Sequence, residues 1–163
     1  MKNNSFLLLC TFAISLMTLF SCGDSLDELP DPNAVTIWTG PNTTFVKANG
    51  ADPTDPANQD QLTANVAITR GNSGGEIFNI ALENSSTQNI SPMGTQWAVG
   101  DISNIDNLDF TSFRQAVGRP QDVVGQNLVL FLVEDEIFLS VTFTQWTSGT
   151  TNGGGFAYER STP

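Results

Sequence analysis

The sequence contains no histidine, and its only two cysteines, Cys10 and Cys22, lie near the N-terminal end of the 163 residues. Without histidine, the usual general base of acyl-transfer triads is missing, together with the commonest ligand of zinc, copper and non-haem iron. Beyond Cys22 there is no thiol, which excludes cysteine catalysis and thiolate metal sites from the rest of the chain. Basic residues are scarce as well, with 6 Lys plus Arg against 17 Asp plus Glu. That balance repels phosphate backbones and anionic lipid heads, so nucleic acid is not an expected partner. Solubility is the plainest use of the acidic excess. A long apolar run is the last absence. Phe6 to Phe20 is nearly continuous, yet Ser21-Cys22-Gly23-Asp24 close it before the roughly 20 apolar residues that a spanning helix needs.

What is present at the N-terminus is the layout of an export signal: Met1-Lys2-Asn3-Asn4 as a basic, polar tip and then the apolar stretch. Leu19-Phe20-Ser21-Cys22 resembles the lipobox of bacterial lipoproteins, with an apolar residue three before the cysteine and a small one just before it. The resemblance implies a signal peptide over residues 1–21, cleavage after Ser21, and acyl (palmitate-type) chains on Cys22 as the membrane attachment. The competing reading is an ordinary signal peptide with an incidental cysteine. Cleavage removes only Lys2 among the charged residues, leaving 5 bases against 17 acids, a net −12 over 142 residues. Residues 22–33, with Asp24, Asp27, Glu28, Asp31 and two prolines, read as an acidic flexible tether. Acids just behind a lipidated cysteine also resemble the surface-export signals of Bacteroidetes-type lipoproteins. The expected address is therefore the bacterial cell envelope, lipid-anchored at the outer membrane and facing either periplasm or surface.

Residues 34–163 are long enough for one domain with a real core. Short runs rich in Val, Ile, Phe, Thr and Trp recur between Gly, Pro, Asn and Asp clusters, which predicts an all-β, antiparallel sandwich or barrel with at most one short helix. Val35–Thr39 and Thr43–Lys47 flank Gly40-Pro41-Asn42, suited to a hairpin or a corner between sheets. Leu62–Thr69 and Ile77–Leu82 are the next candidate strands. Leu128–Val133 is apolar throughout, as for a strand covered on both faces, while Glu136–Trp146 alternates, with Glu134-Asp135 as the turn between them. The alternation places Trp146 on the face of Phe138, Ser140, Thr142 and Thr144. The one candidate helix is Phe110–Val117, with Asp109 as N-cap and Gly118 and Pro120 as its stop; a strand reads there equally well.

Several loops and side chains are candidates for chemistry. Gly71-Asn72-Ser73-Gly74-Gly75 and Gly153-Gly154-Gly155 lack the residues that make phosphate loops, so they read as turns. Carboxylates alone suffice for glycoside hydrolysis, but Glu134, Asp135 and Glu136 are adjacent and point to alternate faces, as in a solvated turn. The loop from Asn49 to Asp60 sets the side-chain oxygens of Asn49, Asp52, Asp55, Asn58 and Asp60 within twelve residues, a candidate calcium loop without EF-hand spacing. Asp and Asn in such loops also serve by binding nearby backbone N–H groups. Of Trp38, Trp97 and Trp146, the first and last are candidates for ligand stacking on an outward, polar strand face, against the commoner alternative that tryptophan fills core or rim.

From Ile37 onward the chain resembles a recurrent domain of secreted and surface proteins of Bacteroidetes-type and marine bacteria. The likeness is carried by Thr39-Gly40-Pro41, Ala51-Asp52-Pro53 through Asn58-Gln59-Asp60, Ile68-Thr69-Arg70-Gly71-Asn72, Gly94-Thr95-Gln96-Trp97-Ala98, Phe143-Thr144-Gln145-Trp146 and Gly154-Gly155-Phe156-Ala157-Tyr158-Glu159-Arg160-Ser161-Thr162. It departs at Asp135-Glu136-Ile137-Phe138, where a tyrosine-bearing strand start is more usual. The resemblance implies an exported β-rich module and no mechanism. The expected function is a non-enzymatic envelope lipoprotein that binds glycan (polysaccharide) or another envelope component. The alternatives are an assembly subunit of an envelope complex and, third, a carboxylate-based glycoside hydrolase.

Overall fold

Residues 35–163 are described in a computed structural model, and the apolar and alternating runs within them form nine strands. The proposed signal peptide, Cys22 and the acidic tether lie outside the described residues. The strands are β1 (Thr36–Trp38), β2 (Gly40–Lys47), β3 (Asp60–Gln61), β4 (Ala67–Arg70), β5 (Ile77–Asn79), β6 (Thr95–Val99), β7 (Asn127–Leu132), β8 (Ile137–Trp146) and β9 (Phe156–Thr162). The larger sheet runs β2-β9-β8-β7-β6, with β1 added in parallel beside the start of β8. The smaller is the antiparallel set β3-β4-β5. The fold is thus an all-β sandwich and not a closed barrel. All described residues belong to one compact unit, Pro32–Pro163. No helix among them is long and apolar enough to cross a membrane.

The core forms where the two sheets face each other. Ile68 and Ile77 come from the small sheet; Leu128, Leu130, Leu139, Val141, Phe143, Phe156 and Tyr158 come from the large one. Burying a residue of this kind contributes about 1.5–3 kcal/mol. From Leu128 onward β7 is apolar because both its faces are covered. Leu128, Leu130 and Leu132 enter the core. On the other face Val129 is fully buried, and Phe131 stacks on Phe138 at 4.2 Å with Phe110 edge-on at 6.3 Å. The 3-10 turn Ile102–Asn107, which packs against β7 and β8, precedes Phe110 on that side. Val133–Glu136 make the turn into β8, as the Glu134-Asp135 pair predicts.

Gly40-Pro41-Asn42 does not close a hairpin. β1 lies against β8, whereas β2 pairs with the far side of β9, so the chain must step past the end of β9. A Cβ at position 40 would collide with the Pro163 carbonyl oxygen and sit 2.6 Å from Thr162 Oγ1 and 2.9 Å from Thr162 O. Only glycine permits that crossing, which the Thr162 hydroxyl secures by donating to the Pro41 carbonyl at 2.8 Å.

The helix is shorter than its pattern. Thr111 and Trp97 exchange backbone hydrogen bonds at 2.8 and 3.0 Å, which keeps residues 110 and 111 extended beside β6. α1 therefore covers only Phe113–Val117, with Ser112 and not Asp109 at the N-cap position, and it ends as expected at Gly118, φ 75°, ahead of Pro120. Its buried pair Phe113 and Val117, one turn apart, face the core, with the Phe113 ring edge-on to Trp97 at 5.1 Å.

Candidate functional site

The three tryptophans do not share a surface. Trp97 is fully buried, its Nε1 donating to Thr95 Oγ1 at 2.9 Å. Trp38 is 8% exposed and part of the core. Trp146 is half-buried against the same core, contrary to the alternation that sets it on the Phe138–Thr144 face. The cause is a bulge: Phe143 pairs with Tyr158 and Gln145 with Ala157, so β8 advances two residues while β9 advances one. The extra residue reverses the side-chain alternation and returns Trp146 to the side of Phe143, 5.8 Å away. The stacking pair expected from Trp38 and Trp146 is therefore not formed. A guanidinium occupies the Trp146 ring instead, with Arg70 Cζ 3.8 Å from its centroid.

The candidate calcium loop is held together by hydrogen bonds to several of the side-chain oxygens that a metal would need. Asp52 Oδ1 accepts from the Thr54 N–H at 2.9 Å and its hydroxyl at 2.8 Å, contacts that hold Asp52 below the usual carboxylate range. Asp55 caps the 3-10 turn Pro56–Asn58 by accepting from the Ala57 N–H at 3.0 Å. Asn58 donates to the Asp52 carbonyl, and Asn49 Oδ1 accepts from the Gly155 N–H, both at 2.9 Å. Asp60 faces inward, gripped by Arg160 and Tyr158. Among the described residues no three acidic, histidine or cysteine side chains gather in a metal-holding group. At the β7–β8 turn, Asp135 accepts from Thr63 Oγ1 at 2.7 Å and Asn65 Nδ2 at 2.9 Å, while Glu134 and Glu136 are exposed.

The arrangement with unspent chemistry lies around Arg70, the last residue of β4. All four residues of that strand are buried, so the arginine is carried inward by a strand that is otherwise apolar or small. Arg70 is 2% exposed. Its Nε donates to the Gly75 carbonyl at 3.0 Å, and Nη1 donates to those of Thr147 and Gly155 at 2.9 and 3.2 Å. These carbonyls hold the guanidinium over the Trp146 ring. Burial pulls the Arg70 pKa down to about 10. Nearby, Lys47 is fully buried at the end of β2, donating to Asn72 Oδ1 at 2.8 Å. Burial lowers its pKa, and the positive charge of Arg70 adds to the effect.

Arg70 lines a cavity of about 150 Å³ together with Arg114, Gln121, Trp146, Ser148 and Thr150. Arg114, on α1, pairs through Nε with Glu76 Oε1. Glu76 is buried, and its Oε2 has no hydrogen-bond partner among the described residues. The cavity has no nucleophile paired with a base; it offers cationic and hydroxyl or amide donors against an aromatic wall. Such a set can orient a polar ligand. Arg70 and Arg114 escaped the sequence reading, although an arginine ending the apolar run Val66-Ala67-Ile68-Thr69 was a visible signal.

No protein-family model, curated protein or solved structure matches this chain. The all-β sandwich and the Arg70 cavity therefore define the protein by architecture and chemistry alone.

Proposed function

We propose that the chain is an exported lipoprotein of the bacterial cell envelope, held by acyl chains on Cys22, whose β-sandwich is a non-enzymatic binding domain for glycan or another envelope component. The observation that carries the binding role is the cavity in which Arg70, Arg114, Gln121, Ser148 and Thr150 converge beside Trp146. Convergent donors against an aromatic wall suit the hydroxyls and charged groups of a polysaccharide. The lipobox-like Leu19–Cys22 and the resemblance to exported β-modules support the address. Binding of the purified chain to a polysaccharide array, weakened by Gln121→Ala or Thr150→Ala, is the expected result; an array without a single bound polysaccharide overturns the glycan reading. For the anchor, the mature chain is expected to carry acyl mass on Cys22, and Cys22→Ser to move the protein out of the membrane fraction with its fold intact.

An assembly subunit is the second reading, favoured by a different feature. Val35, Ile37, Ile105, Phe110 and Phe138, with Asp106 as the one charged residue, line a mainly apolar groove of about 430 Å³ on the outer face of the large sheet. Val35 and Ile37 are 50% and 43% exposed there. Apolar surface of this kind marks contact with other molecules. Stoichiometric co-purification of partners from solubilised membranes, lost on Ile37→Ser, would favour this reading over glycan binding.

A further inference from the structure

Charge is distributed unevenly in this protein. The chain holds 17 acids and 6 bases, yet the residues lining the Arg70 cavity include two arginines and no carboxylate. Of the cations in the described residues, Arg114, Arg119 and Arg160 pair with Glu76, Asp122 and Asp60. Arg70 and Lys47 have no carboxylate within ion-pair distance among the described residues, and both are buried. A buried charge without a counter-ion is unfavourable, and nearby acids would ordinarily be placed to offset it. Of the acids in the described residues none pairs with Arg70 or Lys47, and only Asp52 acts on Lys47 from farther off.

The donor count points the same way. Arg70 carries five N–H groups, of which three are committed to the carbonyls of Gly75, Thr147 and Gly155. The two on Nη2 have no partner among the described residues. Arg114 commits its Nε to Glu76 and likewise keeps N–H groups free of described partners. A guanidinium fixed on one edge and open on another is preorganised to grip two oxygens of an oxyanion, because little side-chain freedom is lost on binding. Size limits what enters. At about 150 Å³ the cavity is smaller than the roughly 300–1,000 Å³ that encloses a whole drug-sized ligand, so it takes a terminal group and leaves the rest of the ligand outside.

We propose that this cavity is an oxyanion subsite, in which Arg70 and Arg114 hold the carboxylate or sulfate group of an acidic polysaccharide residue while Ser148 and Thr150 contact it at the rim. The proposal rests on the binding role above and names the ligand class for it. The bound anion supplies the counter-charge that the fold omits beside Arg70. Neutral sugars lack that group and bind far more weakly here.

The test uses the detergent-solubilised full chain and the side-chain Nε–H resonances of its four arginines, titrated at constant ionic strength with sodium glucuronate, sodium sulfate or glucose. Arg70 and Arg114 are expected to shift saturably with an anion, with Arg119 and Arg160 as unmoved internal controls and no response to glucose. Saturation with glucuronate alone assigns a uronate carboxylate, with sulfate alone a sulfate ester, and with both their shared chemistry. Ser148 is exposed, so Ser148→Asp should leave the fold intact and weaken the anion by about tenfold or more through like-charge repulsion, while Ser148→Ala keeps most of the affinity. No saturable shift with either anion, or equal shifts at all four arginines, overturns the subsite. If a neutral polysaccharide still binds on the array in that case, the binding role survives without it; if nothing binds, both fail.

Discussion

Arg160 in β9 forks around Asp60 in β3, with Nε 2.7 Å from Oδ2 and Nη2 2.8 Å from Oδ1. The pair clamps the small sheet to the large one, and Tyr158 adds its hydroxyl to the same Oδ2 at 2.7 Å. Both side chains are nearly buried, at 11% and 9% exposed. Removing one partner of such a pair strands the other, so Asp60→Ala is expected to lower the unfolding free energy by about 3 kcal/mol. Tyr158→Phe removes one hydrogen bond and should cost about 1 kcal/mol. Denaturant titration checks both; a loss below about 0.5 kcal/mol for Asp60→Ala would show that the clamp contributes little.

Tyr158 is the sole tyrosine, so its ionisation can be followed directly. Burial pushes its pKa well above 10, and the Asp60 carboxylate beside it acts in the same direction. A folded-state pKa above the unfolded one means that this contribution to stability is complete below pH 10 and declines as pH rises beyond it. The phenolate absorbance is therefore expected to stay silent through pH 10 and to appear together with loss of structure. An ordinary titration at pH 10 in the folded domain would contradict the burial of this hydroxyl.

Gly154 and Gly118 separate two kinds of glycine requirement. Both have positive φ, 60° and 75°, so alanine at either is strained by about 1 kcal/mol. At Gly118 nothing lies within 4 Å of an added Cβ, whereas at Gly154 it would overlap the Gly71 carbonyl and approach Asn72 Cα at 3.3 Å. Gly154→Ala should thus cost about 2 kcal/mol more than Gly118→Ala in thermal unfolding. It should also disturb Arg70, whose Nη1 depends on the neighbouring Gly155 carbonyl.

In the Asn49–Asp60 loop Asn49, Asp52 and Asp55 each already accept a hydrogen bond from the chain through Oδ1, and both oxygens of Asp60 are bound by Arg160. Chelation with EDTA is accordingly expected to leave the melting temperature unchanged, and Asp55→Ala to cost about 1 kcal/mol through loss of its cap, with or without calcium. A melting temperature that rises saturably with added calcium would assign the loop a metal after all.

Features decided by near neighbours in sequence were readable from it. Continuous apolar residues marked β7, alternation marked β8, Glu134-Asp135 marked their turn, and Gly118 with Pro120 marked the end of α1. Each of these depends on the period of side chains along a strand or on backbone freedom at one residue. The absence of histidine, and of thiols beyond Cys22, likewise restricts the chemistry of residues 35–163 whatever their fold.

What tertiary structure alone decided are relationships across long separations. One bulged residue beside β9 determined which way Trp146 points, and so replaced an expected stacking surface with a site for a guanidinium. Asp60 was a candidate calcium ligand until a residue 100 positions away claimed it. Arg70 acquires its meaning from carbonyls 77 and 85 residues distant and from the absence of an ion-paired acid beside it among the described residues. Local sequence sets the period and the turns, but the partner of a buried charge is chosen by which strands the sandwich brings face to face. Among the described residues that choice left Arg70 without a carboxylate partner.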